Sequence, residues 1–213
     1  TKNIDEMSEN PDFKQQVKNA AYRVIKSKLE YFKSENPVPL YPDQSKISEF
    51  VPDKEGEEFF LSQACRSITI EKNTSLPIKN SDESKILLAG SLDSFFKAGK
   101  ARYPNSSTYH YRHDAVNIED VQSVINGLSY AARGCDTIIM CVSNEKHQSI
   151  AQYFKNSNKK VIILSTMSPV FVENLTWADS VLLGYSWYCD YTMEAMIGAV
   201  NGEYVPEGIK PYN

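Results

Sequence analysis

The run IEDVQSVINGLSYAARGCDTIIMCVSNEKHQSIAQYFKNSNKKVIILS, residues 118–165, decides how this chain folds. Ile118 to Arg133 reads as an amphipathic helix, capped at its start by Asn117 and stopped by Gly134. It feeds Asp136 to Val142, a largely apolar strand. The same alternation then follows, with Glu145 to Asn156 as a helix and Lys160 to Ser165 as a strand. Continuous apolar strands must be covered on both sides, and strands separated by helices of about 10 or more residues run parallel. The stretch therefore predicts a mostly parallel sheet with helices on both faces.

Working outward, the same texture extends in both directions. Upstream, Glu57 to Arg66 reads as a helix feeding the short strand Ser67 to Ile70, and Lys85 to Gly90 as a buried strand with glycine at its exit. Leu92 to Arg102 is helical, and Thr108 to Tyr111 favours a strand. Downstream, Asp179 to Leu183 is a short strand and Tyr191 to Asn201 the last long helix. The fold class is α/β, a three-layer α/β/α sandwich of the flavodoxin-like kind. Ahead of it, Pro11 to Phe32 carries Phe13, Val17, Ala20, Ala21, Val24, Tyr31 and Phe32 at helical spacing, with Asn10 as cap and Pro11 in the first turn. Ser34 to Lys54, with Pro37, Pro39, Pro42 and Pro52, has no clear period and reads as a linker or a wrapping loop. Residues 1–55 thus form a helix and linker, and 56–213 the sandwich domain.

Composition excludes several classes of function. The chain has 213 residues with 41% hydrophobic and 23% charged, an ordinary globular balance, and a formal charge of -4. No basic stripe offers a footprint for a nucleic-acid backbone. The longest apolar runs fall far short of the roughly 18 residues a membrane span needs. Cys65, Cys135, Cys141 and Cys189 lie far apart with no C-x-x-C pair, so they read as small buried hydrophobes rather than zinc ligands or disulfides. No metal and no cofactor is expected. The chain opens on Thr1, which suggests a processed product or a piece of something longer. Sequons at Asn73, Asn105 and Asn174 are about as many as chance provides in so Asn- and Ser-rich a chain and decide nothing.

In an open α/β sheet the ligand crevice lies beyond the carboxyl ends of the strands, so chemistry is sought just after each one. Gly90-Ser91-Leu92-Asp93-Ser94 is suited to holding an anion on free backbone N–H groups, but matches no phosphate-binding motif; its plain reading is a helix start. Ser143-Asn144-Glu145-Lys146-His147 is the densest set of ionisable groups at any strand end, and Asn144, Glu145 and His147 are candidate substrate-binding residues. Glu145 is the one catalytic candidate, against the plain reading of a first-turn glutamate favoured by the helix dipole. Thr166-Met167-Ser168-Pro169 is a loop ending in a Ser-Pro helix start. Gly184-Tyr185-Ser186-Trp187-Tyr188-Cys189-Asp190-Tyr191 forms either a stacking platform, with Trp187 as its substrate contact, or a packed corner. His110 and His113 flank Arg112 in a polar stretch without metal-ligand spacing.

The order of segments carries a resemblance. Leu61-Ser62-Gln63-Ala64-Cys65-Arg66-Ser67-Ile68-Thr69-Ile70-Glu71-Lys72-Asn73, then Leu76-Pro77-Ile78, resembles the opening of the second domain of family 3 glycoside hydrolases. Asp136 to Met140, Lys160 to Leu164 with Ser168-Pro169, Ala178 to Leu182, Glu194-Ala195-Met196, Asn201-Gly202-Glu203 and Pro206-Glu207-Gly208 are similar to that domain's later strands, last helix and ending. Val17 to Lys28, with its Arg23-Val24-Ile25-Lys26-Ser27-Lys28, is similar to the last helix of the family's preceding (β/α)8 barrel.

The resemblance implies that this chain is a supporting domain. In that family the nucleophilic Asp and the Lys-His sugar contacts lie on the barrel, and those motifs are missing here. The β-glucosidase branch takes its acid/base Glu from a Glu-x-Glu-Gly loop of the second domain, which this sequence lacks. The β-N-acetylhexosaminidase branch uses a barrel Asp-His pair instead and suits the sequence better. Retaining hydrolysis needs two carboxyls about 5 to 5.5 Å apart. The chain alone is expected to be inert, with the barrel and a carbohydrate as its partners. Its first helix, cut from the barrel, is expected to dock on the sandwich domain or to pair two chains, with an exposed and disordered segment as the third outcome. The alternative is a free-standing flavodoxin-like module that binds a nucleotide or small anion at Gly90 to Ser94.

Overall fold

The computed structural model describes residues 10–210 other than 38, 40, 42, 51, 52, 81–84, 114–117 and 188. The chain divides into two compact units, residues 1–52 and 53–213. In the first, helix α1 spans Pro11–Phe32; Asn10 Oδ1 accepts from the Asp12 N–H at 2.8 Å and the Phe13 N–H at 3.4 Å, and Pro11 sits where no donor is needed. α1 buries no residue, and Val17, Val24, Ile25 and Leu29 stay about half exposed. The following chain differs from the irregular linker expected of it. Asp43 Oδ1 accepts from Ser45 N–H (3.0 Å) and Oγ (2.7 Å), which starts a 3-10 turn, Gln44–Lys46, that runs into the short helix α2, Ile47–Phe50. Elements this short leave no hydrophobic period to read. Pro42, Pro52 and the expected Asn117 cap lie outside the described residues.

The second unit opens with helix α3, Lys54–Ser67, which starts earlier than the apolar pattern suggests because Asp53 Oδ1 caps it from the Glu55 N–H at 3.1 Å. Strand β1, Thr69–Asn73, then β2, Ile86–Gly90, helix α4, Asp93–Arg102, and β3, Ser107–His110, follow. Next come α5, Ile118–Ala131, β4, Thr137–Val142, α6, Glu145–Gln152, β5, Lys160–Ser165, β6, Ser180–Leu183, and α7, Asp190–Asn201. Ser168 and Pro169 open a 3-10 segment, Pro169–Leu175, rather than an α-helix.

These strands form one sheet in the order β1-β6-β5-β4-β2-β3, parallel throughout except for β1, which runs antiparallel on the outer edge of β6. Strands β2, β4 and β6 are buried at every residue, and β5 at every residue but Lys160. That is why they read as apolar runs without alternation. Leu88, Ile139, Cys141, Ile162, Leu164 and Leu182 meet Phe95 of α4 and Met193, Met196 and Ile197 of α7 on one face, with Ala64 and Cys65 of α3 alongside. Leu87, Ile138, Met140, Ile163, Val181 and Leu183 meet Leu128 of α5, Ile150 of α6 and Leu175 on the other. The result is the expected three-layer sandwich. Helix α7 ends at Gly202, whose φ of 77° is left-handed and whose Cβ, if it had one, would stand 2.6 Å from Pro77 Cβ.

Candidate functional site

Leaving β1 aside, the parallel strands follow the order β3-β2-β4-β5-β6, so the winding reverses between β2 and β4. At such a switch point neighbouring connections leave toward opposite faces and open a crevice beyond the strand ends. Here Ser91 leads from β2 to α4 on one face, and Ser143-Asn144 leads from β4 to α6 on the other.

The chain beyond β3 drops into this crevice. Tyr111, 5% exposed, donates its phenol to the Cys141 carbonyl and meets the His147 ring edge-on at 4.7 Å. His113 Nδ1 lies 3.1 Å from Ser143 Oγ, which lies 2.9 Å from His147 Nδ1. His147 Nε2 faces the Arg112 carbonyl at 3.3 Å. Asn144 ties the loops together: its Oδ1 accepts from the His147 N–H at 2.9 Å as the α6 cap, and its Nδ2 donates to the His113 carbonyl at 2.9 Å. Ser143 and His147 are buried, whereas His113 is half-buried. Burial pushes the His147 imidazole down to about 4, so the ring is neutral at ordinary pH.

Of the residues expected at this edge, the structure brings Asn144, His147 and Trp187 together around His113. The Trp187 ring lies 4.3 Å from that of His113 at 31°. Glu145 is exposed on the first turn of α6, and its carboxylate makes no hydrogen bond or ion pair among the described residues. The aromatic segment after β6 does not act as one platform. Tyr185 packs toward one core, Trp187 toward the other, and Tyr191 stacks on Phe60 at 6.0 Å, while Tyr188 lies outside the described residues. Tyr185 has a left-handed backbone, φ 54°, and its buried hydroxyl has no hydrogen-bond partner among the described residues; the same holds for the Thr166 hydroxyl, on a residue 0% exposed. The left-handed backbone of a residue as bulky as Tyr185 marks this edge as specialised.

At the other expected turn, a Cβ on Gly90 would stand 3.0 Å from the Phe95 ring and 3.3 Å from Cys141 Cβ. The glycine there lets α4 pack closely on the sheet, which needs no anion to explain it. In the sequence His113 reads only as one of two histidines flanking Arg112, and Ser143 only as part of a string. Each lies at a strand end, but nothing local says that β3 and β4 deliver their loops to the same crevice. Among the described residues no cluster of His, Cys, Asp and Glu is arranged to hold a metal, and no helix is long and apolar enough to cross a membrane.

No protein-family model matches the chain, and no curated protein matches it. Among solved structures it is similar to the family 3 β-N-acetylglucosaminidase of Paenibacillus sp. strain FPU-7, with a TM-score of 0.63 and 11% identity over 82% of this chain and 35% of that one. It is similar to a mutant β-glucosidase from Listeria innocua in complex with laminaribiose, with a TM-score of 0.61 and 15% identity over 77% of this chain and 27% of that one. A fungal multi-domain family 3 β-N-acetylglucosaminidase matches with a TM-score of 0.58 and 16% identity over 79% of this chain and 21% of that one. The chain therefore has a fold found within family 3 glycoside hydrolases, and it spans about a fifth to a third of the length of these enzymes.

Proposed function

We propose that this chain is the C-terminal α/β domain of a family 3 glycoside hydrolase of the β-N-acetylhexosaminidase kind. It supports a catalytic (β/α)8 barrel and lines one side of a cleft for β-linked sugars, with residues 1–55 as the end of the barrel and the linker. The observation that carries this reading is the fold match, which takes up 82% of this chain but 35% of the Paenibacillus enzyme, so that the likeness is to one part of a longer enzyme. The exposed stripe of α1, with Val17, Val24 and Leu29, suits a helix whose packing surface is the barrel. Asn144, Glu145, His147 and Trp187 are the groups proposed at the sugar side, His147 acting through the Ser143 hydroxyl because it is itself buried.

The His113, Ser143 and His147 cluster contains no carboxyl, and Glu145 stands outside it, so among the described residues the pair required for retaining hydrolysis is not assembled at this crevice. The purified chain should therefore leave aryl N-acetylglucosaminides and aryl glucosides intact. Turnover abolished by Glu145→Gln would overturn this. In a full-length parent the same substitution should cost little, whereas a loss of about 100-fold or more would make Glu145 the general acid and move the chain to the β-glucosidase branch.

A further inference from the structure

The relay at the switch point has a definite proton arrangement. The Arg112 carbonyl can only accept, so His147 Nε2, 3.3 Å away, carries the ring's proton. Burial keeps His147 neutral, which leaves its Nδ1 bare. That bare nitrogen takes the Ser143 N–H at 3.4 Å and the Ser143 O–H at 2.9 Å. With its one proton committed, Ser143 Oγ presents a lone pair to His113 Nδ1 at 3.1 Å, so His113 holds a proton there. A neutral His113 then has a bare Nε2. That atom has no hydrogen-bond partner among the described residues, on a ring that is only half-buried and lies tilted against Trp187 at 4.3 Å.

We infer that His113 is a ligand-binding residue whose Nε2 accepts a hydrogen bond from a hydroxyl of a sugar ring lying beside Trp187, and that Ser143 and His147 are the positioning residues that fix it as an acceptor. The sugar in this statement rests on the function proposed above; the proton arrangement does not. A hydroxyl ligand fits because a bare imidazole nitrogen needs a donor, and because an aromatic face beside it suits the apolar face of a pyranose.

The test is long-range proton–nitrogen correlation spectroscopy on the 15N-labelled intact chain, with the histidines neutral, before and after addition of N-acetylglucosamine or cellobiose. The expected spectra place the proton of His147 on Nε2 and that of His113 on Nδ1. Ser143→Ala should release the His113 tautomer while Ser143→Thr, which keeps the hydroxyl, should restore it; a merely structural serine would not move this signature. Sugar should then shift the His113 Nε2 and Trp187 indole resonances, and His113→Phe should weaken its affinity about tenfold, the size of one lost hydrogen bond. A neutral His113 protonated on Nε2 in the intact chain overturns the inference, whatever the fate of the glycosidase reading. Sugar-induced shifts confined to residues away from His113 and Trp187 also overturn it, yet leave that reading standing. Correct tautomers with no sugar response at millimolar concentrations overturn the ligand assignment and weigh against both.

Discussion

Arg102 holds Glu203 through two parallel hydrogen bonds, Nε to Oε1 at 2.7 Å and Nη2 to Oε2 at 2.9 Å, while its Nη1 reaches Glu194 Oε2 at 2.5 Å. The last residue of α4 is thereby fastened both to α7 and to the chain that leaves it. The contact keeps the Glu203 carboxyl below the usual carboxylate range, chiefly through the Arg102 hydrogen bonds, and raises the Arg102 guanidinium. Glu203 is 41% exposed at its side chain, so solvent screens part of the gain.

Arg102→Gln should therefore lower the stability of residues 53–213 by only about 1 to 2 kcal/mol, less than a fully buried charged pair would lose. Urea unfolding of the variant, of Glu203→Gln and of the double variant measures the coupling. Strict additivity of the two single losses would mean that the fork contributes nothing.

The buried His147 makes stability depend on pH with a definite sign. Unfolded, the ring titrates near its ordinary 6.5; folded, burial holds it at about 4. The unfolded state thus takes up the proton first as pH falls. The contribution is whole above about pH 6.5 and is lost between there and about pH 4, to a total of roughly 3 kcal/mol. His147→Gln should flatten this part of the stability profile whatever it does to the profile's height. A wild-type slope retained in the variant would assign the effect to other groups.

The four cysteines should fall into two classes. Cys65 and Cys189 are half-buried, whereas Cys135 and Cys141 are buried, with the thiols of both pushed up chiefly by burial. Since the thiolate is the reactive form, an aromatic disulfide reagent should modify two thiols promptly and the others only at the rate of unfolding. Four equally fast thiols would contradict the packing of β4.

Removal of residues 1–52 should leave a folded sandwich, because both core clusters are drawn from residue 64 onward. The truncated chain should unfold in one cooperative step at an unchanged urea midpoint, and any dimer formed through the α1 stripe should become monomeric on sedimentation. Collapse of the remaining chain on truncation would make α1 an integral layer and the proposed domain boundary wrong.

The elements most legible in the sequence are those whose causes are local. α1 runs from Pro11 to Phe32, as the Asn10 cap and apolar spacing indicate, and β5 runs from Lys160 to Ser165, because a strand buried on both faces needs an unbroken apolar run. Those same runs carry the three-layer class. β1 is shifted from its expected bounds, since Ser67 and Ile68 serve the end of α3, where the Ile68 N–H reaches the Ala64 carbonyl at 3.2 Å. Hydrophobic pattern records which residues are covered, not which strand lies beside which. The reversal of winding between β2 and β4, the antiparallel edge at β1, and the meeting of His113 with Ser143 across 30 residues of chain were therefore settled only by tertiary structure. His147 illustrates the division: its place on the first turn of α6 follows from its neighbours, but its burial, its neutral state and its bond to Ser143 exist only once β3 and β4 bring their loops into one crevice.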